Sequence, residues 1–327
     1  MTKKPLKVAV VGPTPPPSGG VASYIKGLMQ ACRLISPVDE WRFRNYTWYK
    51  LVELALWQPD IIHYNFSRSY KRGISTVLGR LMRSAVVHTI HGDQFDVTKF
   101  GNRIALRFSS GVIVLNDSAF SSILSADISI RVEKISPMFS ESQCVRSPSV
   151  KLPMKIAQLI PLNRKCMLVY ARSRGAIRGQ EIYGFEFIAG LLPSISNLGF
   201  HVLYLDPSNA YNSLALDPQG VGNTLHIVED LDFRALLEYV SVYVRPTASD
   251  GNSIAILEAL DAGLPVLCSD VVDRPSGTIT YKYGCRSDFI SQLKMAANQK
   301  DSIKRPPQLD SISKYIEFLE RAIDEPG

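Results

Sequence analysis

The stretch DGNSIAILEALDAGLP, Asp250 to Pro265, lies between two apolar runs, VYV at Val242 to Val244 and PVLCSD at Pro265 to Asp270. Strand, loop, helix, strand is the order this implies, the repeating unit of a parallel α/β sheet. Asp250 falls in the loop, Asn252 and Ser253 are residue types suited to cap a helix, and Glu258 sits inside the helix on an otherwise apolar segment. Two carboxylates eight positions apart thereby flank a helix start, which carries about half a positive charge and free N–H groups. The arrangement suits a ligand with hydroxyls at both ends and a phosphate in the middle, as in a nucleotide-sugar.

Outward from this segment the same alternation fills the chain. In the first half, Lys7 to Gly12 precedes a helical pattern over Gly20 to Ile35, with Val21, Ile25, Leu28, Met29 and Cys32 on one face. Strands are expected at Arg42 to Thr47, Asp60 to Phe66, Ala85 to His91, Gly111 to Asn116 and Arg131 to Ile135. Around Arg146 to Pro153 the text changes to SPSVKLP, which reads as a linker. Beyond it, strands are expected at Cys166 to Arg172, Phe200 to Asp206, Thr224 to Val228, Val242 to Val244 and Pro265 to Ser269. Helices are expected at Glu181 to Leu192, Leu231 to Tyr239 and Ser253 to Ala262, with a last amphipathic one at Ile312 to Ile323. Continuous apolar strands alternating with helices mean parallel sheets covered on both faces. The expected architecture is α/β, two Rossmann-like doubly wound domains facing each other across a cleft. The first is residues 1–150 and the second is residues 151–310. Ligands of such folds bind at the carboxyl ends of the strands.

A chain of 327 residues fits two domains of about 150 residues each. Hydrophobic residues at 46% and charged residues at 20% exclude a wholly disordered chain. No apolar run approaches the roughly 18 residues that span a bilayer. The five cysteines are scattered and form no CxxC, which reads as buried thiols in a reducing compartment and a cytoplasmic protein. The net charge of +7 is uneven: residues 1–150 hold 19 Lys and Arg against 10 Asp and Glu, residues 151–327 hold 18 against 20. A solvated basic surface would account for this, as would an anionic partner of the first half. No nucleic-acid-binding module accompanies the charge, whereas Trp41 to Lys50 and Arg68 to Arg83 interleave basic with aromatic or apolar residues. That pattern leads to an expectation of peripheral docking on the inner, anionic membrane face.

Other segments carry chemistry. GPTPPPSGG, Gly12 to Gly20, is neither GxGxxG nor a P-loop, but Gly19 and Gly20 let backbone approach a ligand closely. His91, followed by Gly92, ends a strand; His88 falls on the opposite strand face, which excludes a metal pair. Arg172 closes the strand CMLVYAR and opens the loop SRGAIRGQEIYG, which also holds Arg174 and Arg178. Guanidinium groups there suit bidentate phosphate contacts; for Arg174 a plain surface position is expected.

Together these segments resemble the retaining glycosyltransferases of the group-1 family, glycosyltransferase family four, which have the GT-B fold. The resemblance spans nearly the whole chain: PPPSGGVASY, the HG after a strand, SSGVIVLND, the Arg172 loop, and above all RPTASDGNSIAILEALDAGLPVLCSD. In that family two acids separated by seven residues contact the donor sugar and the nucleotide ribose, which places Asp250 and Glu258 in those roles. Gly251, Asn252 and Ser253 fall where backbone amides meet the donor, Arg172 matches the arginine that neutralises the diphosphate, and His91 would bind the donor sugar. The C-terminal helix, 311–325, resembles the one that crosses back onto the first domain in this fold, which joins it to residues 1–150. The first acid is Asp where the family more usually has Glu. The family lysine has no clear equivalent; aligning on Gly179 puts Arg178 there, aligning on Gly184 puts Tyr183 there, and Arg178 is the one expected to contact the donor.

The resemblance implies transfer of a sugar from a nucleotide-sugar to a glycan or lipid-linked acceptor, with retention, in bacterial surface polysaccharide assembly. It implies no cofactor beyond the co-substrate, and nothing resembling a DxD metal site is present, so no obligatory metal is expected. A GT-B nucleotide-sugar epimerase and a non-catalytic nucleotide-sugar-binding protein stay open as alternatives.

Overall fold

The computed structural model describes residues 5–14, 20–35, 40–45, 48–92, 95–126, 128–139, 151–177, 179–214, 222–250, 253–298 and 311–324. The chain divides into two compact units, Met1–Val145 with Leu309–Gly327, and Arg146–Gln308.

The first unit runs β1 (Lys7–Val11), α1 (Gly20–Ile35), β2 (Glu40–Arg44), α2 (Trp48–Trp57), β3 (Ile61–Tyr64), α3 (Ser69–Leu81), β4 (Ala85–Ile90), α4 (Phe100–Phe108), β5 (Gly111–Val114), α5 (Asp117–Leu124) and β6 (Val132–Lys134). The strands form one parallel sheet in the order β2-β1-β3-β4-β5-β6. Val8, Ala9, Val10 and Val11 are all buried. Because successive side chains point to opposite faces, such a run needs cover on both. On one face Ala9, Val11, Ile62, Tyr64 and Val86 pack with Leu54 of α2. The opposite face receives the C-terminal helix: Tyr315 Oη hydrogen-bonds with His63 Nδ1 at 2.7 Å, and His63 Nε2 with Thr89 Oγ1 at 2.6 Å.

The second unit runs α6 (Met154–Ala157), β7 (Lys165–Tyr170), β8 (Ala176–Ile177), β9 (Gln180–Glu181), α7 (Phe185–Ala189), α8 (Leu192–Asn197), β10 (Phe200–Leu205), β11 (Thr224–Ile227), α9 (Phe233–Leu237), β12 (Val242–Arg245), α10 (Ile254–Asp261), β13 (Val266–Ser269), β14 (Ile279–Tyr281) and α11 (Arg286–Asn298). Its six-stranded sheet is ordered β11-β10-β7-β12-β13-β14, all parallel, with β8 and β9 as a separate antiparallel pair. Residues alternate between two cores: Cys166, Leu168, Tyr243 and Cys268 pack with α9 and α10. Met167, Val169, Val244 and Leu267 pack with α7, α8 and α11. The last element, α12 (Ser311–Asp324), returns to the first unit and buries Ile312, Tyr315, Phe318, Leu319 and Ala322.

Two expectations need correction. No single helix spans Glu181 to Leu192; α7 begins only at Phe185, and α8 follows as a separate turn. Gly184 stands in the left-handed region at φ +75°, and a Cβ there would lie 2.2 Å from the Pro246 carbonyl oxygen. The Glu181 carboxylate meanwhile accepts from the Tyr183 N–H and the Tyr211 hydroxyl, holding a turn in place of a helix. The second correction is an omission: β14 and α11 were not anticipated, although Phe289, Leu293 and Ala296 follow helical spacing and are buried.

Candidate functional site

Strand order locates the binding ends. In unit 2 the chain enters at β7 and then builds outward, to β10 and β11 on one side and to β12, β13 and β14 on the other. Its topological switch point therefore lies between β7 and β12, where loops diverge and leave a crevice. Arg172 follows β7 and Arg245 ends β12, so both flank that point. Both guanidiniums bear on the Tyr170 hydroxyl, whose pKa burial raises and whose ionised form Arg172 and Arg245 favour. Arg172 is half-buried, and its Nη1 is buried with no hydrogen-bond partner among the described residues.

Asp250 is the hub of this end. Arg245 donates to it from Nε and Nη2 at 3.0 and 2.9 Å, a bidentate pair, and Arg274 donates from Nη1 at 2.7 Å. Arg274 also donates to the Ser269 carbonyl oxygen at 2.8 Å, to Ser269 Oγ at 3.0 Å and to Thr247 Oγ1 at 3.2 Å. Side-chain exposure is 11% for Arg245, 6% for Asp250 and 2% for Arg274. Burial alone would raise the Asp250 pKa, but the two guanidiniums outweigh it and hold the carboxyl below its ordinary value. Burial likewise disfavours charge on Arg245, yet Asp250 holds its pKa well above the usual arginine value. Among the described residues Arg245 and Arg274 ion-pair with no other carboxylate. Two guanidiniums thus share the Asp250 carboxylate in a nearly dry setting, and Asp230 acts on Tyr170 alongside Arg172 and Arg245.

Helix α10 starts just beyond. Ser253 occupies its N-cap position with an extended backbone, but the hydroxyl makes no capping bond, contrary to the expectation. Its carbonyl oxygen accepts from the Ile256 and Leu257 N–H groups, so the first-turn N–H donors keep their orientation without a side-chain partner. Further along the helix Glu258 is half-buried and accepts from Arg234 Nε at 2.9 Å. This ties α10 to α9.

In unit 1 the switch point lies between β1 and β3. Gly12 leaves β1 so close to Asn65 that a Cβ would sit 2.8 Å from the Asn65 Cβ and 2.6 Å from Ile25 Cδ1. Asn65 Oδ1 and His91 Nε2 are 2.9 Å apart, and the Tyr24 ring meets the His91 ring edge-on at 5.0 Å. Since an amide oxygen accepts, His91 Nε2 carries the proton and Nδ1 is left as an acceptor. Burial, with the Arg72 guanidinium nearby, lowers the His91 pKa to about 3, so the ring is neutral near pH 7. Asn116 fixes the turn: its Nδ2 donates to the Gly92 carbonyl oxygen at 3.0 Å while its Oδ1 caps α5 by accepting from the Ala119 N–H.

The structure therefore brings Arg172 and Asp250 to one switch point, with Ser253 three residues past Asp250 at the head of α10. It sets His91 at the end of a strand in the other unit. Gly20 opens α1, where a side chain would meet open space. Gly19, Arg178, Gly251 and Asn252 lie outside the described residues. Tyr183, the other candidate for the lysine position, lies under the Arg245 guanidinium at 5.5 Å. Sequence reasoning missed Arg245, Arg274, Asn65 and Asn116. Arg245 stood five residues before Asp250 in the same quoted segment and was legible; Arg274 comes 24 residues after it and meets it only through the β12–α10–β13 crossover.

No protein-family model matches the chain, and no curated protein matches it. Solved structures do. Anabaena Alr3699/HepE in complex with UDP-glucose is similar over 97% of this chain and 98% of its own, with 11% identity and a TM-score of 0.67. The catalytic domain of starch synthase IV from Arabidopsis thaliana, bound to ADP and acarbose, matches over 98% and 100% with 11% identity and a TM-score of 0.69. The lipopolysaccharide outer core galactosyltransferase WaaB, in its apo form, matches over 96% and 99% with 11% identity and a TM-score of 0.61. The chain has the fold of these proteins, GT-B, α/β with two Rossmann-like units.

Proposed function

We propose that this protein is a glycosyltransferase that moves a sugar from a nucleotide-sugar to a glycan or lipid-linked acceptor with retention, in surface polysaccharide assembly. The observation that carries the reading is the cationic end of the unit 2 sheet. There Arg172 has a buried Nη1 with no partner among the described residues, and Arg245 and Arg274 share the carboxylate of Asp250. A leaving nucleoside diphosphate gains negative charge as the bond between its phosphate oxygen and the sugar's anomeric carbon breaks and the glycosidic bond to the acceptor forms. Fixed donors that already point at that charge need no reorganisation in the transition state. Arg172 supplies the guanidinium, the first turn of α10 supplies oriented N–H groups, and Asp250 holds Arg245 and Arg274 in register. No metal is required in this scheme, because cationic side chains take the diphosphate charge.

Glu258 accepts from the ribose hydroxyls in this reading, its orientation set by Arg234. His91, neutral and fixed by Asn65, offers Nδ1 to a sugar hydroxyl. GT-B neighbours bound to UDP-glucose and to ADP with acarbose support a nucleotide-sugar donor, and a neighbour named for lipopolysaccharide outer core supports the acceptor class. The chain works in the cytoplasm, meeting a lipid-linked acceptor at the inner membrane face.

A thermal-shift screen of nucleotide-sugars followed by product analysis tests this, because selective binding stabilises the native state. A new glycosidic product with the donor's anomeric configuration, formed equally in EDTA, is expected. Isomerised donor would make the protein an epimerase, and loss of activity on chelation with recovery on adding a divalent ion would overturn the metal-free scheme. A second reading, donor binding without turnover, is favoured by one observation: both Asp250 oxygens are already engaged by guanidiniums. Stabilisation by a donor with no product from any acceptor would establish it.

A further inference from the structure

Helix α3 is built inside out. Its buried face is Arg72, Gly73, Ser75, Thr76 and Gly79, with the Ser75 and Thr76 hydroxyls donating to the Arg72 carbonyl oxygen at 2.9 and 2.8 Å. Its apolar residues face outward: Tyr70 is 53% exposed, Ile74 52%, Val77 47% and Leu81 75%. Positions i, i+4, i+7 and i+11 fall on one stripe of a helix, here about 16 Å long. Helix α4 packs beside it, where Arg72 Nη1 donates to Asn102 Oδ1 at 2.8 Å and the Asn102 N–H to Ser69 Oγ at 3.1 Å. It adds Phe100 at 80% and Phe108 at 51% exposure. Exposed apolar residues scattered singly need no explanation, but six on two adjoining helices form a patch that does.

The charges around the patch are predominantly basic, with the exposed Asp96, just before α4 and beside Lys99, an acidic exception. Neither helix contains Asp or Glu, while Arg68, Arg80, Arg83, Lys99, Arg103 and Arg107 are all exposed. A second copy of this chain placed face to face would set these cations against each other. An anionic bilayer supplies headgroups for the cations and an apolar layer below them for Ile74, Leu81 and Phe100. We infer that the α3–α4 face of unit 1 docks on an anionic membrane surface. The inference gives a place to the membrane association proposed above and rests on that reading only for why the acceptor is met there.

The docking residues differ from those first expected. In the stretch that begins at Trp41, three residues have other partners: Arg42 and Arg44 pair with Glu53 at 3.7 and 2.7 Å, and the Trp41 ring packs by Tyr315 at 6.3 Å. The Arg68 to Arg83 stretch, joined by α4, carries the surface.

Co-sedimentation of the full chain with phosphatidylglycerol-containing vesicles and with pure phosphatidylcholine vesicles, at low and high salt, tests the inference. No nucleotide-sugar is present, so failure here leaves the donor reading untouched. Wild type is expected to bind the anionic vesicles at least tenfold better, with the advantage shrinking in salt. The double variant Ile74→Ser with Leu81→Ser should lose most of that binding. Each of Arg80→Gln and Arg107→Gln should lower it about fivefold. Leu162→Ser, a 90% exposed position in unit 2, should change nothing. Unchanged tryptophan emission shows that unit 1 stays folded in these variants, since Trp41, Trp48 and Trp57 all lie there. Equal or absent binding to both vesicle types, or full binding by the double variant, overturns the inference. So does a wild-type dimer that the double variant dissolves, which would assign the face to a second copy.

Discussion

After β12, unit 2 turns on Arg245, Asp250 and Arg274, three ionised groups locked together; after β3 and β4, unit 1 turns on Asn65, His91 and Tyr24, all neutral. The two ends occupy the same place in their sheets, outside the strand carboxyl ends beside a topological switch point. One topology therefore supports two chemistries. In the function proposed, the charged end holds the donor's diphosphate, with Arg172, Arg245 and Arg274 as its described cations. The neutral end offers the hydrogen-bonding groups of Asn65 and His91, which suit hydroxyls.

The strongest way to break this contrast is to remove the carboxylate that holds the charged end together. Asp250→Ala leaves two buried guanidiniums facing each other and is expected to cost about 3–5 kcal/mol of unit 2 stability. Hydrogen exchange in peptides covering β12 and β13 should show the loss, with unit 1 peptides unaffected. Protection equal to wild type would mean that the cluster is incidental to the fold.

Next in size is a variant that spares the fold. Arg172→Gln keeps the loop but removes the guanidinium whose Nη1 has no partner among the described residues, and should lower kcat/KM for a matched donor by about 100-fold. Steady-state kinetics on that donor measures it. A change smaller than threefold would transfer the diphosphate role to Arg245 and Arg274.

Acid sharpens the comparison from the other side. Burial lowers the pKa values of His63, His88 and His91 to about 3, from an ordinary 6.5. A depressed folded-state pKa means that the unfolded chain binds more protons below pH 6.5, so their contribution is complete above 6.5 and is lost as pH falls toward 3. The Asp250 contribution is complete above the ordinary carboxylate value of 3.8 and is lost only below it. Urea midpoints followed by tryptophan emission, which reports unit 1, should therefore fall between pH 6.5 and 5. A flat midpoint over that range would contradict neutral buried histidines.

The alternation of strands and helices was legible because buried parallel strands read as continuous apolar runs, and β1, β5 and β7 do. Asp250, Ser253 and Glu258 were legible as a set because they share one loop and one helix. What those residues touch was not. Arg274 reaches Asp250 across a crossover connection, and Asn65 reaches His91 across neighbouring strands; both contacts depend on sheet order, which local pattern does not encode. The Glu181 to Leu192 reading failed for a local reason, since Gly184 must take a positive φ to pass Pro246. In α3 the period was visible, but period alone does not say which face is inward.

The smallest expected effect belongs to Glu258. A ribose contact made equally in the ground and transition states is uniform binding, so Glu258→Gln should raise KM a few-fold and leave kcat unchanged. A loss confined to kcat would assign Glu258 to the reacting sugar.

Isothermal titration of the full chain with a nucleoside, its diphosphate and its nucleotide-sugar, in wild type and in Arg172→Gln, tests most directly that the charged end of unit 2 is a diphosphate site. The account predicts that the diphosphate and the nucleotide-sugar bind wild type far more tightly than the nucleoside, and that Arg172→Gln removes most of this difference. Equal affinity for nucleoside and diphosphate, or a difference that survives in Arg172→Gln, would contradict it.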